Sequence, residues 1–152
     1  QGDILVTPME IAAATAAIAN GGTYYEPRTV RSVLSPEGGK ISDIAATPHG
    51  AAVASGETLR IVREGMRQAI TGGSGFSTFG KSFPVAVAGK TGTAQFGNED
   101  KTHAWFTSFA PFNDPKLVIT VFIEGGGEGY ATAAPVAKTA YEWYATHNDA
   151  LN

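Results

Sequence analysis

The residues best suited to binding chemistry are Lys90, Thr91 and Thr93, which follow directly after an apolar run that ends in glycine. An apolar run bounded by glycine is typical of a buried strand, so we expect one strand over residues 85–96 that leads from the core to the surface. Alternate side chains of a strand share a face, which places the two threonine hydroxyls together. Gly92 between them would let a bound group approach the backbone. An ammonium with two hydroxyls suits an anion, and a carboxylate is a plausible guest because charge-assisted hydrogen bonds are strong.

This stretch has two other interpretations. Gly89-Lys90-Thr91 could end a phosphate-binding loop, but that pattern needs a glycine where the chain has Pro84, and a helix after the lysine. Thr93 and the residues after it favour a continued strand, so we reject a nucleotide site. A strand end with a solvated lysine stays open as an alternative. If the strand has a free edge, an extended peptide could also add alongside it.

A nucleophile with its base is missing from the chain. No serine is followed three residues later by lysine, Thr78 and Lys81 being the nearest approach, and no serine is followed two residues later by asparagine. The three histidines lack metal-ligand spacing, and without cysteine there are no disulfides or thiolate zinc sites. We therefore expect no metal and no cofactor.

Composition narrows the class of protein. The chain has 152 residues, 43% hydrophobic and 16% charged, which indicates about one packed domain. Its net charge of −3 argues against a nucleic-acid partner, and no apolar run is long enough to span a membrane. The chain begins at Gln1 rather than Met, which predicts that it is a piece of something longer.

The first part of the chain is predicted to contain two helices and one strand. Thr7 as the cap, Pro8 in the first turn and Glu10 completing a capping box predict a helix over residues 7–20, and its small apolar side chains predict burial on most sides. The elements expected next are a strand at residues 29–34, an irregular segment at 40–50, and a helix at 57–70 capped by Ser55 and buried through Leu59, Val62, Met66, Ala69 and Ile70. Arg60, Arg63, Glu64 and Arg67 lie off that stripe and are predicted to be solvated.

The second part is predicted to be a sheet followed by a helix. A loop with exposed Phe76 and Phe79 should lead into the central strand, and strands at 103–110 and 117–124 should complete an antiparallel meander. The last strand is apolar on both faces, so we expect it to be interior with helices on both sides. A mobile rim at 125–129 and a helix at 132–147 follow, with a buried stripe of Val136, Ala137, Ala140, Tyr141 and Tyr144 bordered by Trp143. The fold class is therefore α+β.

The motifs together resemble one family. Lys90-Thr91-Gly92-Thr93 resembles the third active-site motif of penicillin-binding proteins and serine β-lactamases, which accompanies Ser-x-x-Lys and Ser-x-Asn. Further segments look like class B penicillin-binding proteins and occur in the same order along the chain as in that family. They look more like the elongation type than the division type. These segments are residues 1–12, 17–22, 88–95, 103–106 and 109–111. The resemblance covers nearly the whole chain and implies a penicillin-binding/β-lactamase-like transpeptidase domain.

The resemblance also implies an activity and a site. The family forms a serine acyl-enzyme on peptidoglycan stem peptides, and β-lactams mimic the donor. By carry-over, Lys90 supplies positive potential, the hydroxyls of Thr91 and Thr93 hold the terminal carboxylate, and the Thr93 N–H completes the oxyanion hole. Gly92 and Gln95 are the other expected binding residues. The family acts on the extracytoplasmic face of the bacterial membrane, anchored by a segment that this chain does not contain.

The departure from the family pattern is the missing nucleophile. In the family Ser-x-x-Lys and Ser-x-Asn lie upstream, so residues 1–152 are expected to be the C-terminal part of one transpeptidase domain, inactive alone, with the N-terminal half as its partner. Two alternatives stay open, a non-catalytic relative that binds peptidoglycan or a partner protein, and a piece of a serine β-lactamase or carboxypeptidase.

Overall fold

The computed structural model describes residues 4–97 and 101–147. These residues form an antiparallel sheet with helices, as the predicted α+β class requires. The elements are α1 Pro8–Ala19, β1 Ser32–Leu34, β2 Lys40–Asp43, α2 Gly56–Thr71, α3 Phe76–Phe79, β3 Ala88–Phe96, β4 Lys101–Ala110, β5 Leu117–Ile123 and α4 Ala133–His147. The sequence also predicts a polar turn at residues 97–101 and a fraying end at residues 148–152, and residues 98–100 and 148–152 lie outside the described residues. No helix in the described part of the chain is long and apolar enough to cross a membrane.

Helix α1 starts at the predicted capping box. The Thr7 hydroxyl accepts a hydrogen bond from the Glu10 N–H at 3.2 Å, and the Glu10 carboxylate accepts one from the Thr7 N–H at 2.7 Å. The prediction of burial on most sides is confirmed beyond the first turn, because α1 packs on β4 and β5 and also contacts α2. Thr15 and Ala17 lie on nearly opposite sides of the helix and are both buried, whereas Met9 in the first turn is 56% exposed.

Helix α2 carries the predicted Ser55 cap, whose side chain accepts from the Thr58 N–H. Its buried side chains are Leu59, Met66 and Ile70, while Val62 is exposed. The prediction that all four charged residues are solvated is wrong for two arginines. Arg63 donates to the carbonyls of Ala19 and Phe112 at 2.7 and 2.6 Å, and Arg67 donates to the carbonyl of Val87 at 2.6 Å. The long apolar stem of arginine can lie on the core while its charged head reaches backbone carbonyls.

The segment between α1 and α2 contains a hairpin that the sequence did not indicate. The strand predicted from residue 29 begins only at Ser32, and Lys40–Asp43 is the strand β2, which corrects the prediction of an irregular segment. The two strands pair antiparallel around a turn in which Gly38 has a φ of +83°. That left-handed conformation favours glycine.

The loop predicted before the central strand contains the short helix α3. Phe79 was expected to be exposed but is buried, with its ring stacked on that of Phe106 at 5.7 Å between centroids. Phe76 remains partly exposed. The strand β3 begins at Ala88 rather than residue 85, so Val85 and Val87 fill the core just before it.

The main sheet has the order β3-β4-β5 with both pairs antiparallel, as predicted for a meander. The expectation that β5 is interior is wrong within the described residues, where β5 is an edge strand. Helices nevertheless contact it from both sides, since α1 and α4 both pack on β5. This explains why its sequence is apolar at every position except Thr120.

The core lies on both faces of this sheet. On the α1 face, Ala88 and Phe109 pack with Ala19 and Met66. On the α4 face, Phe106 packs in a larger cluster around Tyr141, which is fully buried and lies 3.1 Å from the Ser108 hydroxyl. The predicted stripe of α4 is partly wrong. Its buried residues are Ala133, Ala134, Ala137 and Tyr141, whereas Val136 and Ala140 are exposed.

Candidate active site

Strand β3 presents one edge of the sheet. Its other edge pairs with β4 in a continuous register that includes Lys90 opposite Thr107 and Gly92 opposite Trp105. Across residues 4–97 and 101–147, no further strand pairs with β3. An unpaired strand edge can accept an extended peptide through backbone hydrogen bonds. The structure therefore places Lys90, Thr91, Gly92, Thr93 and Gln95 along an edge that a peptide could occupy.

The hydroxyls of Thr91 and Thr93 lie on one face of β3, as the alternation predicts. Thr91 pairs with Phe106, whose ring belongs to the core on the α4 face. Lys90 starts from the opposite face, since its partner Thr107 lies 2.8 Å from the Thr15 hydroxyl of α1. The Lys90 ammonium is exposed and donates to the Thr91 carbonyl at 2.6 Å. The two threonine hydroxyls thus lie on one face of β3, while the Lys90 side chain starts from the opposite face and its ammonium contacts the strand backbone.

Each threonine hydroxyl has a partner that the sequence reasoning missed. The Thr91 hydroxyl lies 2.9 Å from the Ser74 hydroxyl in the loop after α2. The Thr93 hydroxyl donates to the Glu128 carboxylate at 2.9 Å. Ser74 and Glu128 are each flanked by glycines on both sides, which was the signal available in the sequence. Both hydroxyls are therefore held by side chains from two separate loops.

The loop between β5 and α4 packs closely against β3 at Gly92. A methyl group at Gly129 would collide with the carbonyl oxygens of Gly92 and Trp105, so only glycine fits there. The Gly127 N–H donates to the Thr102 carbonyl at 3.0 Å, and the Thr132 hydroxyl donates to the Gly126 carbonyl at 2.9 Å. These contacts do not fit the loose rim predicted for residues 125–129.

Gln95 lies at the exposed end of the strand, two residues beyond Thr93. Next to it, aromatic rings cluster on the sheet. Phe96 and His103 stack with centroids 3.8 Å apart, and Trp105 and Phe122 lie 4.5 Å apart. The predicted binding residues are therefore next to an aromatic surface formed by β3, β4 and β5.

Comparison with known proteins gives this geometry a context. The family model described as the penicillin binding protein transpeptidase domain matches residues 1–142. The peptidoglycan D,D-transpeptidase MrdA of Haemophilus influenzae is 33% identical over 95% of this chain, and PbpA of Mycolicibacterium smegmatis is 33% identical over 91%. The imipenem acyl-enzyme complex of penicillin-binding protein A from M. tuberculosis superposes with a TM-score of 0.79 at 32% identity over 93% of the chain.

The chain spans only part of these proteins, namely 24% of MrdA, 29% of PbpA and 31% of the penicillin-binding protein A chain. The likeness nonetheless extends over nearly all of this chain in both sequence and fold. It confirms the resemblance inferred from the Lys-Thr-Gly-Thr motif and its flanking segments. The chain belongs to the penicillin-binding protein transpeptidase family.

Proposed function

We propose that this chain is the C-terminal half of the transpeptidase domain of a peptidoglycan D,D-transpeptidase. The observation that carries the proposal is the arrangement of β3, in which two threonine hydroxyls share one face of an unpaired strand edge. The transpeptidases MrdA and PbpA are similar to almost the whole chain, and a similar solved structure holds an imipenem acyl-enzyme.

In the proposed reaction, β3 binds the donor. A stem peptide lies along the strand edge, and its terminal carboxylate accepts hydrogen bonds from Thr91 and Thr93 while Lys90 supplies positive potential. The Thr93 backbone N–H donates to the oxyanion that forms at the attacked carbonyl, and such a donor is worth about 3 kcal/mol of transition-state stabilisation. Gly92 lets the peptide approach the backbone, and Gln95 contacts the ligand beyond the threonines. A β-lactam occupies the same positions as a donor mimic.

The proposal needs a serine that this chain does not provide. We assign it to an N-terminal half of the same domain, which would carry Ser-x-x-Lys and Ser-x-Asn. That half would also cover apolar surface that is exposed in this chain, such as Met9 on α1 and Leu5 before it. The whole protein would act on the extracytoplasmic face of the bacterial membrane.

A labelling experiment tests the proposal. The longer protein that contains this segment is incubated with a fluorescent penicillin, with and without an excess of unlabelled penicillin, and the modified peptide is mapped by mass spectrometry. We expect one labelled serine N-terminal to residue 1, and no label when the competitor is present. A folded protein that remains unlabelled would contradict the proposal and favour a non-catalytic relative, whereas rapid hydrolysis of the drug would favour a β-lactamase.

A further inference from the structure

The Thr93 hydroxyl already uses its proton inside the chain. A threonine hydroxyl has one proton to donate and two lone pairs to accept with. In this structure the proton goes to the Glu128 carboxylate at 2.9 Å. The proposed function needs the same proton for the carboxylate of the ligand. Glu128 and the ligand are therefore alternative partners of a single donor.

The backbone holds Glu128 firmly in this position. The Glu128 carbonyl accepts from the N–H groups of Ala131 and Thr132 at 3.0 and 3.2 Å. The next residue, Gly129, is buried against the backbone of Gly92. The side chain of residue 128 therefore begins beside Thr93, and its contact with that hydroxyl is built into the loop.

The neighbouring threonine has a partner of different chemistry. Ser74 is a neutral hydroxyl, and either oxygen of the Ser74–Thr91 pair could be the donor. When Ser74 donates, the Thr91 proton is free for a ligand carboxylate. A carboxylate can only accept hydrogen bonds, so the Glu128 carboxylate cannot donate to Thr93 in this way. The two hydroxyls therefore differ in their readiness to bind an anion.

We propose that Glu128 is a specificity-determining positioning residue that competes with an anionic ligand for the Thr93 hydroxyl. The inference rests on the proposed function of β3. A ligand carboxylate has to displace Glu128 from the Thr93 hydroxyl and is repelled by its negative charge. A neutral group at the same place is not repelled in this way. Glu128 thus weakens the binding of carboxylate ligands relative to uncharged analogues.

The test compares two variants and two probes in the longer protein. Acylation is followed as a function of probe concentration, which separates the dissociation constant of the initial complex from the limiting acylation rate. The probes are benzylpenicillin and its methyl ester, which lacks the negative charge. The variant Glu128→Gln keeps an oxygen that can accept from Thr93 but removes the charge, and Glu37→Gln, in the turn between β1 and β2, is the matched control.

We expect Glu128→Gln to lower the dissociation constant for benzylpenicillin by about threefold, the size of an exposed charge interaction. The limiting acylation rate, the affinity for the ester and the melting temperature should not change, and Glu37→Gln should behave as the unmodified protein. An unchanged or weaker affinity for benzylpenicillin, or the same gain for the ester, would overturn the inference. Failure of the unmodified protein to be acylated would instead overturn the proposed function.

Discussion

The hydroxyl of Thr91 lies 2.9 Å from that of Ser74, which joins the middle of β3 to the loop that follows α2. Helix α2 also reaches the start of the strand, because Arg67 donates to the Val87 carbonyl at 2.6 Å. The strand that carries the proposed binding residues is therefore contacted at two points, by α2 and by the loop that follows it. A hydroxyl held in this way loses less side-chain entropy when a ligand binds.

Removing the Ser74 hydroxyl should weaken ligand binding with little effect on folding. We expect Ser74→Ala to raise the dissociation constant for benzylpenicillin by about threefold, since an exposed hydrogen bond contributes about 0.5–1 kcal/mol. The measurement is the concentration dependence of acylation in the longer protein. Ser42→Ala on β2 is the control. An unchanged dissociation constant would mean that Ser74 does not position Thr91.

Replacing Lys90 should affect the reaction far more than stability. Its ammonium is exposed and bonds only the adjacent carbonyl among the hydrogen bonds of the described residues, so little folding energy depends on it. We expect Lys90→Ala to slow acylation by about 100-fold, the loss typical of a preorganised electrostatic group. The melting temperature should stay nearly constant. Lys40→Ala, which removes a charge in the β1–β2 hairpin, should leave acylation unchanged. A large fall in melting temperature with acylation intact would assign Lys90 a structural role.

Arg63 should contribute to stability, in contrast to Arg60 on the same helix. Arg63 bonds two backbone carbonyls and lies 5.4 and 5.6 Å from the ring centroids of Phe109 and Phe112. We expect Arg63→Met to lower the free energy of unfolding by about 2 kcal/mol in urea denaturation, because hydrogen bonds from charged donors are the stronger ones.

The matched control is Arg60→Met, since Arg60 pairs with the exposed Glu57. An exposed ion pair of this kind is screened by solvent and contributes little to stability, so we expect a much smaller loss. Equal losses in the two arginine variants would contradict the structural role assigned to Arg63.

Tyr141 should make stability fall at alkaline pH. Burial raises the pKa of Tyr141 well above its ordinary value of 10.0, and the hydrogen bond with Ser108 opposes this only in part. Above about pH 10 the unfolded chain releases the Tyr141 proton while the folded protein keeps it. The free energy of unfolding is therefore unaffected by this group below about pH 10 and falls above it by about 1.4 kcal/mol per pH unit.

The variant Tyr141→Phe isolates this effect. We expect the unmodified protein to be the more stable by about 1 kcal/mol near neutral pH, the contribution of one hydrogen bond. Its advantage should shrink and then reverse as the pH rises above about 10 in denaturation experiments at a series of pH values. A difference between the two proteins that does not vary with pH would refute the assignment.

Local signals in the sequence predicted the regular elements well. The capping box of Thr7 and Glu10 gave the start of α1, and the apolar run of β5 gave a strand with helices on both faces. These signals depend on residues close together in the chain. The β1–β2 hairpin was missed because β2 is short and fully exposed, so its side chains carry no burial pattern.

The missed parts of the candidate site depend on contacts between distant segments. Thr93 and Glu128 are 35 residues apart, and Ser74 and Thr91 are 17 apart. Helical periodicity assigned Arg63 and Arg67 to the solvated face because it considers the charge of a residue and its position around the helix, but not the length of its side chain. Only the packing of α2 on the sheet shows that these guanidinium groups meet backbone carbonyls. The Lys-Thr-Gly-Thr strand was predictable because the polar motif and the apolar run that indicates a strand are adjacent in the sequence.

The central claim is that β3 holds the carboxylate end of a donor while a serine from outside this chain is acylated. A crystal structure of the longer protein treated with benzylpenicillin tests it most directly. The account predicts a covalent adduct on a serine N-terminal to residue 1, with the drug carboxylate within hydrogen-bonding distance of the Thr91 and Thr93 hydroxyls. An adduct whose carboxylate lies away from residues 90–93, or a β3 edge covered by another strand, would contradict it.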